Sequence, residues 1–166
     1  MDVNAPDDDT PEHPFTGVTG LDVARGVMRH LAECGAVALT EVPVNRRRRV
    51  DVMAMTSAGT LIIVEVKVSL ADLRGDQKWP EYLAYCDQFY FAVPPQFPVD
   101  VLDEDRFRPA EAGLILADAF AGHCARTAPV QKIAPARRKA QTILFARRAA
   151  MRLQALEDPG FRQPWA

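Results

Sequence analysis

The chain has few of the residues that build disulfide frameworks and zinc sites. Its 166 residues include only three cysteines and three histidines, all widely separated, and no two cysteines form a CxxC pair. This pattern argues against a disulfide scaffold and against structural zinc, and it indicates a reducing compartment. No apolar run reaches the length of a membrane span, and the acidic N-terminus is unlike a secretory signal. We therefore expect a cytoplasmic protein with no membrane segment.

Acidic residues are absent from a long C-terminal stretch, although the net charge of the whole chain is only −2. Residues 119–156 contain eight basic residues and no aspartate or glutamate, whereas residues 1–14 contain five acids and no lysine or arginine. A near-neutral total therefore conceals a strong asymmetry. Such a basic segment is compatible with a surface that binds a polyanion.

The length suggests one domain with a sizeable core. The acidic, proline-containing residues 1–15 predict a disordered tail, and Pro159-Gly160 begins a short C-terminal tail over residues 159–166. Residues 16–158 are then expected to form the folded domain. With 48% hydrophobic and 25% charged residues, the composition is that of an ordinary globular protein.

Residues 50–68, VDVMAMTSAGTLIIVEVKV, predict two β-strands joined by a tight turn. Three charged residues interrupt this apolar hairpin: Asp51, Glu65 and Lys67. Because side chains alternate along a strand, Glu65 and Lys67 share one face. Charges in so apolar a strand are costly to bury unless they are paired or hold a metal. Antiparallel pairing across the turn brings Asp51 opposite Glu65, which makes this pair a candidate metal site.

Mg²⁺ or Mn²⁺ is the cofactor that this set of oxygens would suit, because such cations prefer carboxylates, carbonyls and water. Asp51 and Glu65 would supply carboxylates, and the Val66 backbone carbonyl would be a third ligand. Lys67 would orient or deprotonate an attacking water, or stabilise a charged transition state. Glu-x-Lys is nevertheless a common tripeptide. A solvated pair on an edge strand and a structural Glu65–Lys67 ion pair remain alternatives.

The spacing of Asp51 and Glu65-Val66-Lys67 resembles the D…E-x-K signature of the PD-(D/E)XK nuclease superfamily. The next segment, VSLADLRGDQKWPEYLAYCDQFYFAV, is similar to the MmcB-like DNA repair proteins of alphaproteobacteria, a small branch of that superfamily. This similarity extends from about Gly20 to Arg152. It implies a PD-(D/E)XK nuclease-like domain over residues 16–158, in a protein of the bacterial cytosol associated with the nucleoid.

The chain departs from the superfamily pattern at two positions. Val50 stands where the superfamily name has proline, a position that varies widely. RecB-type members carry Gln-x-x-x-Tyr on the following helix, but here Lys78, not Gln77, lies four positions before Tyr82. The role of that helix is therefore less clearly implied than the role of the metal site.

Hydrophobic periodicity predicts alternating helices and strands along the rest of the chain. Helices are expected over residues 19–33, from Asp76 as N-cap to Tyr85 or Cys86, and over 136–156; strands are expected over 36–44, 50–55, 61–68, 88–93, 113–118 and 129–133. The predicted fold class is α/β, with a central mixed sheet flanked by helices. The resemblance implies the same order as a restriction-endonuclease-like αβββαβ core, followed here by a long C-terminal helix.

Three residues outside the D…E-x-K set are auxiliary candidates. Asp22 in the first helix could assist a second metal, although a carboxylate that stabilises the first turn of a helix is the favoured interpretation. Lys78 and Tyr82 are four residues apart, so they share a helix face that could point at the active site or the substrate.

Two groups of arginines are candidates for contacts with DNA phosphates. The first group lies just before Asp51 and comprises Arg46, Arg47, Arg48 and Arg49. The second group lies on the C-terminal helix and comprises Arg137, Arg148 and Arg152. Either group could instead be a solvated surface.

From these features we predict a divalent-metal-dependent DNA nuclease that hydrolyses phosphodiester bonds in DNA repair. The alternative is a non-catalytic DNA-binding or adaptor module on a nuclease fold. A third hypothesis is an unrelated α/β domain with a structural Glu65–Lys67 pair. DNA is the expected partner, and homodimerisation stays open because many nucleases of this fold pair to cut two strands.

Overall fold

The computed structural model describes residues 17–160. The predicted acidic tail over residues 1–15 lies outside the described residues, as do residues 161–166 of the predicted C-terminal tail. The helices are α1 (Gly20–Glu33), α2 (Leu70–Gly75) and α3 (Pro135–Glu157). The strands are β1 (Ala36–Pro43), β2 (Arg49–Thr56), β3 (Leu61–Val66), β4 (Gln88–Val93), β5 (Ala112–Ala117) and β6 (Gly122–Arg126). Short 3-10 helices span Trp79–Ala84, Val99–Asp103 and Asp105–Phe107.

The six strands form one mixed sheet in the order β1-β2-β3-β4-β5-β6. The pairs β1–β2, β2–β3 and β5–β6 are antiparallel, whereas β3–β4 and β4–β5 are parallel. The two central strands β3 and β4 are almost completely buried because both of their faces are covered. This confirms the predicted α/β class, the mixed sheet and the C-terminal helix.

Each face of the sheet has its own hydrophobic core. The alternation of side chains along β3 places Leu61 and Ile63 in one core and Ile62 and Val64 in the other. Helix α1 covers the second core. The first core is covered by α2, by the 3-10 helices and by α3, and it includes a cluster of stacked and edge-on aromatic rings. No helix within residues 17–160 is long and apolar enough to cross a membrane.

Two predicted elements differ from the structure. Residues 129–133 form no strand, because the backbone N–H groups of Gln131 and Ile133 donate to Asp87 instead of to a neighbouring strand. The last strand is instead β6, whose short sequence GHCAR has weak β-propensity. The helix predicted from Asp76 is a 3-10 helix that begins at Trp79.

Helix α3 packs against the first core through the buried Phe145 and the partly buried Leu144, and polar side chains add further contacts. Its buried residues are Gln141 and Phe145, and the Gln141 amide donates to the Val44 carbonyl at 3.3 Å. Arg152 donates to the carbonyls of Thr40 and Glu41 in β1. Polar side chains therefore attach this helix to the sheet.

Asp87, only 2% exposed, connects four parts of the fold. Its carboxylate accepts the N–H of Leu61 at 2.9 Å, the N–H of Ile133 at 3.3 Å and two hydrogen bonds from Arg138 of α3. Burial raises the pKa of Asp87, but the bonds from Arg138 and the backbone outweigh this effect and lower that pKa below its ordinary value. A buried carboxylate that keeps its charge must be satisfied in this way.

We expect Asp87→Ala to destabilise the protein by about 3–5 kcal/mol at pH 7, because the change removes the acidic partner of Arg138 and leaves two backbone donors unsatisfied. Urea unfolding of the variant beside the exposed control Asp100→Ala measures the loss. Since the folded pKa of Asp87 is lowered, its contribution is complete above its unfolded value of 3.8 and is lost as the pH falls through the folded pKa. A loss below about 1 kcal/mol at pH 7 would contradict the assigned role.

Candidate functional site

Asp51 and Glu65 meet where the β2–β3 ladder ends. The last paired residues of that ladder are Val52 and Val64, so the next position in register places Asp51 opposite Glu65, as predicted. The Asp51 N–H donates to Glu65 Oε1 at 3.3 Å, and the Val66 N–H donates to Asp51 Oδ2 at 2.8 Å. Each carboxylate therefore takes a hydrogen bond from the backbone of the other strand.

The two carboxylates are held in an unfavourable electrostatic environment. Glu65 is only 5% exposed. Burial raises its pKa to about 8, and the charge of Asp51 adds to that effect. Burial also raises the pKa of Asp51 above its ordinary value, although the hydrogen bond from Val66 and the charge of Lys67 oppose the change. A positive charge close to both side chains would relieve this arrangement.

Lys67 pairs with two acids other than Glu65. Its Nζ lies 2.8 Å from Asp76 Oδ2 and 3.7 Å from Asp72 Oδ1, and the side chain is 7% exposed. Burial alone would lower the pKa of Lys67, but Asp76 and Asp72 outweigh it, so this pKa is raised and the group is an ammonium at neutral pH. The structural Glu65–Lys67 ion pair considered above is therefore not formed. A charge-stabilising or orienting role suits Lys67 better than that of a base.

An open cavity of about 340 Å³ adjoins Asp51. Val66, Asp72 and the start of α1 at Thr19 and Gly20 also line it. The cavity is also lined by the residues Leu21, Ala24, Thr40, Glu41 and Val68. A substrate group could therefore approach Asp51 from solvent, between the first turn of α1 and the end of β3.

Glu41 is a third acid at this end of the sheet. The β1–β2 register places it opposite Asp51, and its φ of 53° is left-handed, which is uncommon for a residue other than glycine. Its carboxylate pairs with Arg49. The negative charge of Glu41 contributes to the raised pKa of Asp51, after burial.

The donor set fits a hard divalent cation of the Mg²⁺ or Mn²⁺ type. Within residues 17–160, no hydrogen-bond donor reaches Asp51 Oδ1 or Glu65 Oε2, so one oxygen of each carboxylate remains available. No group of three or more His, Cys, Asp or Glu side chains in the described chain could hold a metal. A metal bound here would also need the Val66 backbone carbonyl, which stays a prediction, and water.

The three auxiliary candidates lie in different surroundings. Asp22 forms a capping box with Thr19, whose hydroxyl and N–H both donate to it, so it serves the helix-stabilising role favoured above. The Tyr82 hydroxyl donates to the Arg49 carbonyl at 3.3 Å. Burial, followed by the charge of nearby Glu65, raises the pKa of Tyr82 to about 12. Lys78 is exposed and makes no ion pair with the described residues.

Two of the four consecutive arginines form ion pairs with glutamates of the same chain. Arg48 makes two hydrogen bonds of 2.8 Å with Glu81 of the 3-10 helix, and Arg49 pairs with Glu41. Arg46 and Arg47 are exposed, and neither forms an ion pair with any residue between 17 and 160.

The candidate arginines of α3 also differ in whether the protein itself binds them. Arg152 is bound to carbonyls of β1, whereas the Arg137 guanidinium lies 4.7 Å from the ring centre of Tyr85. Tyr85 also accepts a hydrogen bond from Asn45 at 2.9 Å, which brings Arg137 close to the turn that carries Arg46 and Arg47. Arg148 is half-buried and has no ion-pair partner in the described part of the chain.

The sequence pattern did not identify the acids that hold Lys67. Asp76 was predicted only as a helix cap, and Asp72 was given no role in the site. Their position beside Lys67 depends on how α2 and the next 3-10 helix fold back onto β3. One signal was available, since a strand of apolar residues that ends in a buried lysine requires a nearby acid.

Comparison with known proteins gives one family and one similar structure. A family model described as DNA repair protein MmcB-like matches residues 10–160. Among solved structures, the chain is similar to the SPO1766 protein of unknown function from Silicibacter pomeroyi, with 44% sequence identity and a TM-score of 0.81. That match covers 89% of this chain and 97% of the other. A search of curated proteins finds no match.

We expect the stability of the wild type in EDTA to fall as the pH rises from about 4.5 to about 8. The pKa of Glu65 is about 8 in the folded state and 4.5 in the unfolded state. Between these values the unfolded state loses the proton more readily than the folded state, so the free energy of unfolding falls as the pH rises. Glu65→Gln cannot ionise and should be more stable than the wild type at pH 8.5, by an amount on the order of 3 kcal/mol, but not at pH 4.

Thermal unfolding across this pH range measures the difference, and the exposed Glu33→Gln serves as the control. Equal pH dependence in the wild type and Glu65→Gln would show that Glu65 ionises normally.

Proposed function

Because this chain belongs to the MmcB-like family of DNA repair proteins, we propose that it is a divalent-metal-dependent DNA nuclease of the PD-(D/E)XK type that acts in repair. The observation that supports this most is the pairing of the buried Glu65 with the half-buried Asp51, each of which keeps one carboxylate oxygen free of hydrogen bonds from residues 17–160, while the neighbouring lysine is held by Asp76. Hard divalent cations bind such a set of oxygens.

The residues would divide the work of phosphodiester hydrolysis. Asp51, Glu65 and the Val66 carbonyl would hold Mg²⁺ or Mn²⁺, which when bound supplies Lewis acidity toward a phosphate oxygen and lowers the pKa of a water. Lys67 would act as a fixed ammonium that stabilises the negative charge developing on the phosphate. The cavity beside Asp51 would admit the phosphate, and the backbone bonds to both carboxylates would keep them in place.

The DNA backbone would be bound by the arginines that have no acidic partner. Arg46 and Arg47 project from a turn that is tied to the 3-10 helix Trp79–Ala84 through the Arg48–Glu81 pair. Asp76 precedes that helix and contacts Lys67, so the same 3-10 helix is connected both to the turn and to the site. Arg137, stacked on Tyr85, extends the same surface. Arg48, Arg49 and Arg152 would then have structural roles.

A non-catalytic DNA-binding or adaptor module is the second candidate function. It is favoured by the exposed, unpaired Arg46 and Arg47, which could bind phosphate groups without any chemistry at Asp51. It predicts DNA affinity that survives the loss of the carboxylates.

We expect cleavage of end-labelled DNA in Mg²⁺ or Mn²⁺ and none in EDTA, with linear, nicked, forked and single-stranded forms compared. Asp51→Asn removes a ligand charge and Lys67→Ala removes the fixed ammonium, so each should lower the cleavage rate by about 100-fold or more. Asp100→Asn makes the same charge change at an exposed position and should cut like the wild type. Binding without cutting in every metal would support the adaptor instead.

We expect Arg46→Ala/Arg47→Ala to weaken DNA binding about tenfold at moderate salt, because two phosphate contacts are lost. The slope of log affinity against log salt should fall by roughly 2. Fluorescence anisotropy of a labelled oligonucleotide at several salt concentrations measures both quantities. Arg106→Ala/Arg108→Ala is the matched control, since each of those arginines already pairs with a glutamate. Equal losses in the two double variants would place the DNA elsewhere.

A further inference from the structure

We propose that Asp76 is a positioning residue for Lys67. Its carboxylate fixes the lysine ammonium beside Asp51 and Glu65, and it keeps that ammonium from pairing with them. The inference rests on the proposed nuclease function and adds to it a residue outside the D…E-x-K signature. It also predicts a Lys67–Asp76 coupling that can be measured without any cleavage.

Lys67 is fixed at both of its ends. Its backbone N–H donates to the Ala92 carbonyl at 2.8 Å, in continuation of the β3–β4 ladder. Its Nζ lies 2.8 Å from Asp76, and the second acid, Asp72, is more distant at 3.7 Å and half-exposed. A lysine side chain has four rotatable bonds, so a defined position requires such an anchor.

Asp76 is itself held by the aromatic core. Its Oδ1 accepts the N–H groups of Lys78 at 3.0 Å and Trp79 at 3.2 Å, which leaves Oδ2 for Lys67. Trp79 is 2% exposed, and its ring lies 5.2 Å from Phe89 and 5.1 Å from Phe91. The position of Lys67 therefore follows from the packing of Trp79, through one carboxylate with two separate tasks.

The charges near Lys67 explain why an anchor is needed. Glu65 precedes Lys67 by two positions, so the two side chains leave the same face at the end of β3, and Asp51 is hydrogen-bonded to the backbone of that same strand end. Without Asp76, the ammonium would be attracted to these two carboxylates and would occupy the place of a divalent cation. Asp76 competes for Lys67 and so leaves one oxygen of each carboxylate available.

Asp76→Asn separates these two tasks. The asparagine oxygen can still accept from Lys78 and Trp79, but its NH₂ group cannot accept from an ammonium. Asp76→Glu retains the charge and provides the conservative rescue. Asp100→Asn again controls for the loss of one exposed negative charge.

The coupling between Asp76 and Lys67 is measured by urea unfolding in EDTA. We expect Asp76→Asn to raise the unfolding equilibrium constant about tenfold in the wild type and hardly at all in a Lys67→Met background. An equal effect in both backgrounds would mean that Asp76 only caps the 3-10 helix, and the proposal would be overturned.

Cleavage supplies the second measurement. We expect Asp76→Asn to lower kcat by about 10- to 100-fold with little change in KM, and to raise several-fold the Mg²⁺ concentration for half-maximal rate. Asp76→Glu should recover part of the rate. Full activity of Asp76→Asn would overturn the proposal. If the wild type cuts no DNA, the nuclease function fails, and the unfolding coupling alone decides whether Asp76 fixes Lys67.

Discussion

The junction where the β2–β3 ladder ends is the constraint on which the site depends. Up to Val52 and Val64 the two strands exchange ordinary backbone hydrogen bonds. Beyond them, two backbone N–H groups are bound by the side chains of Asp51 and Glu65. The carboxylates therefore accept the backbone hydrogen bonds that a neighbouring strand would otherwise accept. If they moved away, two part-buried N–H groups would be left unsatisfied. These two backbone bonds restrict the positions of both carboxylates.

This restriction has an electrostatic consequence. Burial raises the pKa of both carboxylates, the charge of Asp51 adds to this effect at Glu65, and the charge of Glu41 adds to it at Asp51. The nearest lysine is held by Asp76. A fold selected only for stability would pair Lys67 with Glu65 or replace both by apolar residues. In this arrangement the Lys67 ammonium lies near the two carboxylates without forming an ion pair with them. Such a site suits the binding of both a cation and a phosphate.

The sequence predicted the features that depend on local pattern. The alternation along residues 61–66 established the two faces of β3, and the short turn after β2 brought Asp51 opposite Glu65. Features that depend on distant contacts could not be predicted. Arg152 bonds to Thr40, 112 positions away, and Arg48 bonds to Glu81, 33 positions away. No local rule separates these arginines from Arg46 and Arg47, because only folding shows which ones have found a partner.

The same electrostatics bears on the choice between a nuclease and a module that only binds DNA. Ionising the buried Glu65, whose pKa is about 8, costs stability, and an ionised carboxylate at Asp51 would repel a phosphate chain, so a pure binding module would gain by losing both side chains. Under the proposed function, the exposed Arg46 and Arg47, which lie in the turn just before β2, would attract DNA toward the end of the strand that carries Asp51. Placing that attraction next to that repulsion would be unfavourable for binding alone. It becomes favourable if a divalent cation joins the carboxylates to a phosphate, which is the arrangement that phosphodiester hydrolysis requires.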